Sequence, residues 1–538
     1  MAADVLTPEA GASPFYGGLD VPQADVAGGA SQPVTAASAA APGEDAGADQ
    51  SLKVFGHVGG WQLVEVRQGR RVKAGTRRET GQDGAGVGGP FDPFERFHLR
   101  TFSIRIKRIQ IVRNEVAMKR VDVAVIGGGI AGLVAAAMLA RQGLRPVLFE
   151  AAHELGGRAQ TRIVDGFHFN QGPHALYAGG AFNVVLAQLG LAPAGRRLSL
   201  NGAVALWGEE VHPFPTRPAA EAATPPLSFS ETACLAETFA RIAEGRYEGR
   251  GAPLRAFTET LPRPVGMVIE ALVRVSSYAH APEEMDAKAA LDQVRLSFDG
   301  VIYIDGGWRS LVSQLQGVAS AAGAVLRSEH RVAAVRAEGR AWRIELTAGA
   351  AESADAVVLA APPALAAELV DGSAQVAAAA QTAQPVRMVG LDLGLADAGA
   401  GAEFALGMDA PVYMSLHSAV AKLAPEGGGL LHLGRYLAPG ETPDPKHIKD
   451  LEWLADRLRP SWRDTLRQQQ RLVGITVAHE LPHWRRGGRR TPVVVPDAPG
   501  LFLAGDWVGE EGMLSDAAAA SAAAAARAAE AYLAGMPA

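Results

Sequence analysis

A glycine-rich turn between a strand and a helix constrains this chain more than any other feature. Residues 121–126 are mostly apolar, as is typical of a buried parallel strand. An Ala-rich segment, 133–142, is predicted to be helical, and residues 144–150 form a second apolar run that ends in an acid. Between the first strand and the helix lie glycines at G-x-G-x-x-G spacing: Gly127, Gly129 and Gly132. This order of strand, glycine turn, helix, strand and acid predicts a dinucleotide-binding unit.

Each part of this unit has a physical role. Gly127 permits the tight turn, Gly129 leaves room for a pyrophosphate to approach the backbone, and Gly132 lets the helix pack against the strand. The helix N-terminus offers free N–H groups and a partial positive charge to an anion. Glu150, at the end of the second strand, can accept hydrogen bonds from ribose hydroxyl groups. Two residues between Gly129 and Gly132 are candidates for the same site: Ile130 and Ala131.

Composition argues against several other classes of protein. The chain has 538 residues, too many for one ordinary domain, and its hydrophobic content of 48% is normal for a soluble protein. A net charge of −6 gives no reason to expect nucleic acid as a partner. The single cysteine, Cys234, excludes an intrachain disulfide and a cysteine-rich metal site, and it is expected to be a core residue of a helix. No metal site is predicted.

The first 117 residues differ in character from the rest. Residues 1–50 are rich in Ala, Gly, Pro, Ser and acids and are predicted to be disordered. Residues 99–113 alternate apolar and polar side chains with several positive charges. Two interpretations stay open. The segment is either a basic amphipathic strand that binds an anionic surface or partner, or a region that is not a native domain. Because Met118 directly precedes the first strand, residues 1–117 are expected to be a disordered or dispensable extension, and a chain starting at Met118 should remain soluble and keep its nucleotide.

Two further motifs follow the ribose-binding acid. Gly156-Gly157-Arg158 places a flexible loop and a guanidinium, which suits phosphate, just beyond Glu150. Residues 167–177 then read as a strand and a turn around Gly172-Pro173-His174. In this order the motifs resemble the FAD-dependent superfamily that contains flavin amine oxidases, protoporphyrinogen oxidases and phytoene desaturases. The sequence Gly-Pro-His-Ala-Leu-Tyr is most similar to the phytoene dehydrogenase-like branch.

The resemblance implies FAD as the cofactor and assigns its contacts. The ADP part is expected to contact the glycine turn and the Gly-Gly-Arg loop, and the flavin ring is expected near Gly172 and Pro173. The backbone of Val332 would contact the adenine. The remaining contacts are expected from the C-terminal segment: Gly505 and Asp506 after the apolar strand at 501–503, and Met513 and Leu514 at the start of the last helix. This helix would direct its N-terminus at the flavin pyrimidine edge and stabilise negative charge there. Ser515 or Asp516 is the predicted N-cap.

The predicted fold class is α/β, with a discontinuous Rossmann-type FAD-binding domain and an inserted α+β substrate domain. The FAD-binding segments are expected at 118–180, 301–370 and 495–538. The two parts of the substrate domain are expected at 181–300 and 371–494. A cytoplasmic location is expected because no signal peptide is visible. Peripheral contact with a membrane stays open.

The resemblance implies an FAD-dependent oxidoreductase that accepts a hydride from an apolar small molecule, with O₂ or a quinone as the electron acceptor. A carotenoid- or isoprenoid-type desaturase or dehydrogenase is favoured. A flavin amine oxidase is the first alternative, but that branch usually places a lysine near the flavin. After Lys119 the chain has few lysines: Lys288, Lys422, Lys446 and Lys449. A redox-neutral isomerase or a non-catalytic flavoprotein is the second alternative.

Three local assignments stay open. His174 could be a catalytic proton donor, a polar wall beside the flavin or a structural turn residue. Residues 305–308, Asp-Gly-Gly-Trp, could form an NAD-type loop, although a helix entry is favoured. Residues 483–486, His-Trp-Arg-Arg, could face a substrate channel or form a solvated turn.

Overall fold

The computed structural model describes residues 120–215 and 226–535. The predictions for residues 1–117 therefore lie outside the described part of the chain. The strands are β1 Arg120–Ile126, β2 Pro146–Phe149, β3 Thr161–Val164, β4 Phe167–Asn170, β5 Leu176–Tyr177, β6 Gly195–Arg197, β7 Val204–Trp207, β8 Glu210–Pro213, β9 Val301–Ile304, β10 Val325–Arg327, β11 Val332–Glu338, β12 Ala341–Leu346, β13 Ala351–Leu359, β14 Val386–Leu395, β15 Phe404–Gly407, β16 Val412–Leu416, β17 Gly429–Tyr436, β18 Leu466–Ala478 and β19 Leu501–Leu503. The α-helices are α1 Ile130–Arg141, α2 Ala181–Gln188, α3 Phe229–Ala243, α4 Leu254–Thr258, α5 Arg263–Ser277, α6 Ala287–Ser297, α7 Arg309–Ala321, α8 Pro363–Leu369, α9 Ala374–Thr382, α10 Lys446–Leu458, α11 Trp462–Thr465 and α12 Leu514–Ala534.

The first sheet carries the predicted dinucleotide-binding unit. Its strands run in the order β10-β2-β1-β13-β12-β11, and β19 pairs with β13 beyond the end of β12. Strands β10, β2, β1, β13 and β19 are parallel, as expected for a Rossmann-type sheet. Since β1 and β2 lie early in the chain, β10–β13 in the middle and β19 near the C-terminus, the sheet is assembled from separated segments.

Helices cover both faces of this sheet. Helices α1, α2, α7 and α12 share one hydrophobic core, and α8 and α9 contribute to a second core on the other face. The alanines of α1 and α12 are largely buried, and their small side chains allow helices and sheet to approach closely.

The second sheet forms the inserted α+β unit. Its strand order is β18-β14-β17-β16-β15-β7-β8, antiparallel except for the parallel pair β15 and β7. Helix α10 packs in one core with this sheet, and α3, α5 and α6 pack in another. The fold is therefore α/β with a Rossmann-type sheet and an inserted substrate unit.

Several local predictions can be compared with the elements. Asp286 accepts a hydrogen bond from the Ala289 N–H and caps α6. Trp308 directly precedes α7, so residues 305–308 form a helix entry. Helix α1 was predicted to start at Leu133 but starts at Ile130, because the glycine turn ends at Gly129 and Gly132 already lies in the first helical turn.

The predicted N-cap of the last helix is wrong. Helix α12 begins at Leu514, and Met513 is its N-cap without a side-chain hydrogen bond, so Ser515 and Asp516 both lie inside the helix. Asp516 instead accepts a hydrogen bond from the backbone of Phe182 in α2. The side chain of Asp516 therefore binds a neighbouring helix, whereas the N-cap rule predicted that it would bind the backbone of its own helix. Among the helices of the described residues, none is both long and apolar enough to cross a bilayer.

Candidate functional site

A cavity of about 620 Å³ opens at the carboxyl ends of β1, β2, β13 and β19 and extends to the second sheet. This is the edge at which open parallel sheets bind ligands. Most of the predicted site residues line it: Gly127, Gly129, Ile130, Ala131, Glu150, Gly156, Gly157, Arg158, Pro173, His174, Val332, Gly505, Asp506 and Leu514. Residues separated by nearly four hundred positions in the chain thus share one cavity.

Three predicted cofactor contacts are not among the residues that line the cavity: Gly132, Gly172 and Met513. Gly132 lies against the glycine turn, Gly172 packs against the side chain of Ile475, and Met513 is buried in the core of the substrate unit. They lie outside the lining, and direct contact of these three residues with a cofactor stays a prediction.

The glycine turn has the shape that a pyrophosphate requires. Gly127 has φ +107°, and a Cβ on it would lie 2.5 Å from the backbone oxygen of Ala360. A Cβ on Gly132 would lie 1.8 Å from the backbone oxygen of Gly127, so only glycine fits. A Cβ on Gly129 would meet no atom within 4 Å, and this open space faces the cavity. The turn is therefore tight on the protein side and open on the ligand side.

Glu150 is held by backbone groups at the end of β2. Its two carboxylate oxygens accept hydrogen bonds of 2.7 Å from the N–H groups of Gly128 and Ala152. Arg331 and Val332 line the same cavity. A carboxylate fixed in this way can accept further hydrogen bonds from ribose hydroxyl groups on its remaining lone pairs.

Asp506 joins three parts of the chain. It accepts a hydrogen bond of 2.8 Å from Arg158 Nη1, and it is 3.0 Å from His479 Nδ1. The backbone N–H of His479 also donates to it, at 3.1 Å. Burial alone would raise the pKa of Asp506, but the Arg158 charge and the His479 hydrogen bond outweigh burial and hold the pKa below its usual value. Asp506 is therefore an anion that ties the Gly-Gly-Arg loop and the end of β18 to the C-terminal segment.

Two uncapped helix N-termini open on the cavity. Gly129 and Met513, the N-caps of α1 and α12, make no side-chain capping hydrogen bond. The residues that follow them, Ile130 and Leu514, line the cavity. Free N–H groups and the helix dipole favour negative charge at both places. With the room at Gly129, the fixed Glu150 and the guanidinium of Arg158, this donor set fits FAD: α1 would hold the pyrophosphate, Glu150 the ribose and α12 the flavin end.

The far wall of the cavity comes largely from residues that sequence reasoning did not find. Tyr278, Trp308, Met388 and Ile475 line it. Tyr278 ends α5 in the left-handed conformation, with φ +60°, which is strained for an aromatic residue. A positive φ gives no sequence signal when the residue is not glycine, and His479 likewise follows a strand without any motif. Only the fold brings these side chains to the cofactor edge, which is the edge of the first sheet formed by the carboxyl ends of β1, β2, β13 and β19.

His174 lies on this wall. Its Nδ1 is 2.9 Å from the backbone oxygen of Gly172, and its ring lies 4.8 Å from the ring of Trp308. Burial lowers the pKa of His174 to about 4, against the opposing hydrogen bond to Gly172. The imidazole is then neutral near pH 7, so a polar wall fits the geometry better than a proton donor.

Two other sequence assignments lie away from the cavity. Residues 484–486 form a 3₁₀ turn with no buried residue, and none of residues 483–486 lines the cavity, which favours the solvated turn. Cys234 lies in α3, partly buried, and packs against the core of the substrate unit, as predicted.

Part of the chain that contributes to this site is similar to a known protein family. The family described as flavin-containing amine oxidoreductase matches residues 130–392. In this segment, which is just under half of the chain, the protein resembles FAD-dependent oxidoreductases. It resembles the superfamily of flavin amine oxidases, protoporphyrinogen oxidases and phytoene desaturases, including the desaturase branch.

Individual proteins similar to this chain include two desaturases and a solved amine oxidase. A carotenoid 3,4-desaturase of Haloarcula japonica is 44% identical over 72 residues, which is 13% of this chain and 14% of the relative. A phytoene desaturase of Cercospora nicotianae is 39% identical over 72 residues, 13% of this chain and 12% of the relative. The matched segment thus spans about one-seventh of these relatives. A solved structure of putrescine oxidase bound to putrescine superposes with a TM-score of 0.60 at 15% sequence identity. The superposition covers 76% of this chain and 98% of the putrescine oxidase chain, which shows a shared fold.

Proposed function

We propose that this oxidoreductase is a desaturase that introduces a C=C bond into an apolar, isoprenoid-type small molecule. The observation that carries the proposal is the far wall of the cavity. Tyr278, Met388 and Ile475 give the cavity an apolar surface on the side of the substrate unit. An aliphatic or polyene chain gains about 25 cal/mol for each square ångström of apolar surface that such a wall removes from water.

The chain's own residues bind, orient and exclude water. Bound FAD supplies the acceptor for the hydride. The buried Tyr278 and Trp308 exclude water from the reacting carbons and restrict the substrate to the space between the wall and the cofactor edge. His174, neutral near pH 7, adds an uncharged polar group to this wall.

The charges in the cavity disfavour an amine as the substrate. Among the described residues that line it, the acids are Glu150 and Asp506, and no lysine is present. Glu150 is held by backbone N–H groups, and Asp506 is paired with Arg158 and His479. With the ribose on the remaining lone pairs of Glu150, neither acid is left to pair with a substrate ammonium group. The similarity to two desaturases supports an apolar substrate, whereas the similarity to the putrescine oxidase is one of fold alone.

The proposal also includes an electron acceptor and a location. Because the chain has no second dinucleotide fingerprint, the oxidant is proposed to be O₂ or a quinone. An apolar substrate resides in a lipid phase, so peripheral contact of a cytoplasmic protein with a membrane is part of the proposal. Flotation of the purified chain with liposomes tests this contact, and a chain that stays entirely at the bottom of the gradient contradicts it.

Product analysis tests the proposed reaction. The purified holoprotein is incubated with a C₄₀ or C₃₀ polyene precursor in liposomes, with O₂ or a quinone, and products are separated and weighed by mass spectrometry. The expected product is lighter than the substrate by two hydrogen atoms and absorbs at longer wavelength. Tyr278→Ala should lower the yield and Tyr278→Phe should retain it. Oxidation of an amine panel instead of the polyene, or an isomer of unchanged mass, would overturn the proposal.

A further inference from the structure

Asp516 is a buried acid that the proposed reaction does not use. It lies in the first turn of α12, and its side chain is wholly buried. The two residues before it, Leu514 and Ser515, line the cavity. Asp516 does not itself line the cavity; it lies one residue beyond the part of the helix N-terminus that does.

The surroundings fix the carboxylate in place. One oxygen, Oδ1, accepts a hydrogen bond of 2.8 Å from the N–H of Phe182, in the first turn of α2. The other, Oδ2, is buried and has no hydrogen-bond partner in the described part of the chain. A Cβ on Gly180 would lie 2.4 Å from Oδ1, and one on Gly512 would lie 2.7 Å from the Cβ of Asp516. The carboxyl group is therefore held between the N-termini of two helices, with one oxygen unpaired.

No basic side chain among the described residues lies within ion-pair distance of Asp516. The titratable groups that interact with it are Glu511 in the preceding loop and Tyr177 on β5, and a further acid, Asp299, lies against the nearby Gly179. None of them brings a positive charge. Burial accordingly raises the pKa of Asp516 to about 7, although the hydrogen bond from Phe182 opposes the rise. The group can therefore change its charge in the physiological range.

We propose that Asp516 is a positioning residue that makes the reduction potential of the bound flavin depend on pH through the N-terminus of α12. When ionised, the carboxylate cancels part of the positive end of the helix dipole, so negative charge at the flavin end is less stable and the potential is lower. When protonated, it leaves the dipole intact and the potential is higher. The inference rests on the FAD-binding function of the cavity.

Potentiometric titration of the flavin absorbance in the full-chain holoprotein tests this role. Between about pH 6 and about pH 8 the wild-type potential should fall more steeply than that of Asp516→Asn, with a change of slope near pH 7. Asp516→Asn should lack this change and have the higher potential at the alkaline end. Glu511→Gln is the matched control, because it removes a nearby charge but keeps the buried acid. It should keep the change of slope, displaced to lower pH.

A second measurement covers the case in which Asp516→Asn fails to fold or to bind FAD. Infrared difference spectra of the wild-type chain labelled with ¹³C-aspartate should show a protonated carboxyl band that disappears as the pH rises through about 7. A wild-type chain with bound FAD that lacks this band, or whose potential follows pH as that of Asp516→Asn does, overturns the role of Asp516. A chain that binds no FAD at any pH contradicts the cofactor site itself and with it the inference.

Discussion

The same substitution at two glycines of this motif should lower two different quantities: the stability of the fold at Gly132 and the affinity for FAD at Gly129. Gly132→Ala places a Cβ 1.8 Å from the backbone oxygen of Gly127, whereas Gly129→Ala places one where no atom lies within 4 Å. Carbon and oxygen atoms that are not bonded rarely approach closer than about 3 Å, so the first change requires a shift of more than about 1 Å. Gly127 cannot yield freely, because its own backbone lies against Ala360.

The magnitudes follow from this geometry. Overpacking a tight core contact costs about 1–3 kcal/mol. At Gly132 the new Cβ would overlap a backbone oxygen, which cannot rotate away as a side chain can. We therefore expect a loss of about 3 kcal/mol or more in the free energy of unfolding. This is a large share of the roughly 5–15 kcal/mol that stabilises a typical domain. At Gly129, loss of a glycine N-cap costs less than about 1 kcal/mol. The new methyl group, however, fills the space that faces the cavity, and FAD affinity should fall by at least about tenfold, or 1.4 kcal/mol.

Thermal unfolding of the apoprotein and a fluorescence titration with FAD separate the two effects. We expect Gly129→Ala to unfold near the wild-type temperature but to bind FAD weakly, and Gly132→Ala to unfold far earlier or to be insoluble. Wild-type FAD affinity in Gly129→Ala would refute the placement of the pyrophosphate at this turn. Wild-type stability in Gly132→Ala would refute the close packing of α1 against it.

Three further substitutions test other parts of the site. Asp506→Asn should destabilise the apoprotein at pH 7 by about 2 kcal/mol, a value reduced because Arg158 is 41% exposed. Since the pKa of Asp506 is lowered, this difference should shrink in urea titrations as the pH falls below the ordinary aspartate value. Asp516→Asn should do the reverse: a pKa raised from 3.8 to about 7 means that the ionised acid destabilises the fold, so the variant should gain up to about 4 kcal/mol as the pH rises through this range. Tyr278→Ala should raise KM for an apolar substrate about tenfold with little change in FAD content, and equal KM values would contradict its place in the wall.

The cofactor edge could be predicted from the sequence because its determinants are local. The glycine turn, Glu150 and the Gly-Gly-Arg loop lie within about 40 residues, and each has a residue type that its backbone position demands. The strand that ends before Gly505 was recognisable for the same reason. The elements that carry these motifs, β1, β2 and β19, accordingly lie in one sheet.

The far wall could not be predicted because its determinants are long-range. Tyr278 reaches the cavity from the end of α5 and Ile475 from an edge strand of the other sheet, and no spacing in the sequence links them. The N-cap assigned to α12 failed for a related reason. A local rule gives Asp516 to its own helix, but the packing of α2 offers the carboxylate the N–H of Phe182.

We propose that this chain holds FAD against an apolar wall and oxidises an isoprenoid-type chain there. Anaerobic stopped-flow mixing of the holoprotein with a panel of substrates tests it most directly, because loss of the oxidised flavin absorbance reports reduction without any electron acceptor. We expect bleaching with a polyene precursor and none with primary amines. Bleaching by amines alone, or no bleaching by any alkene that binds, would contradict the account.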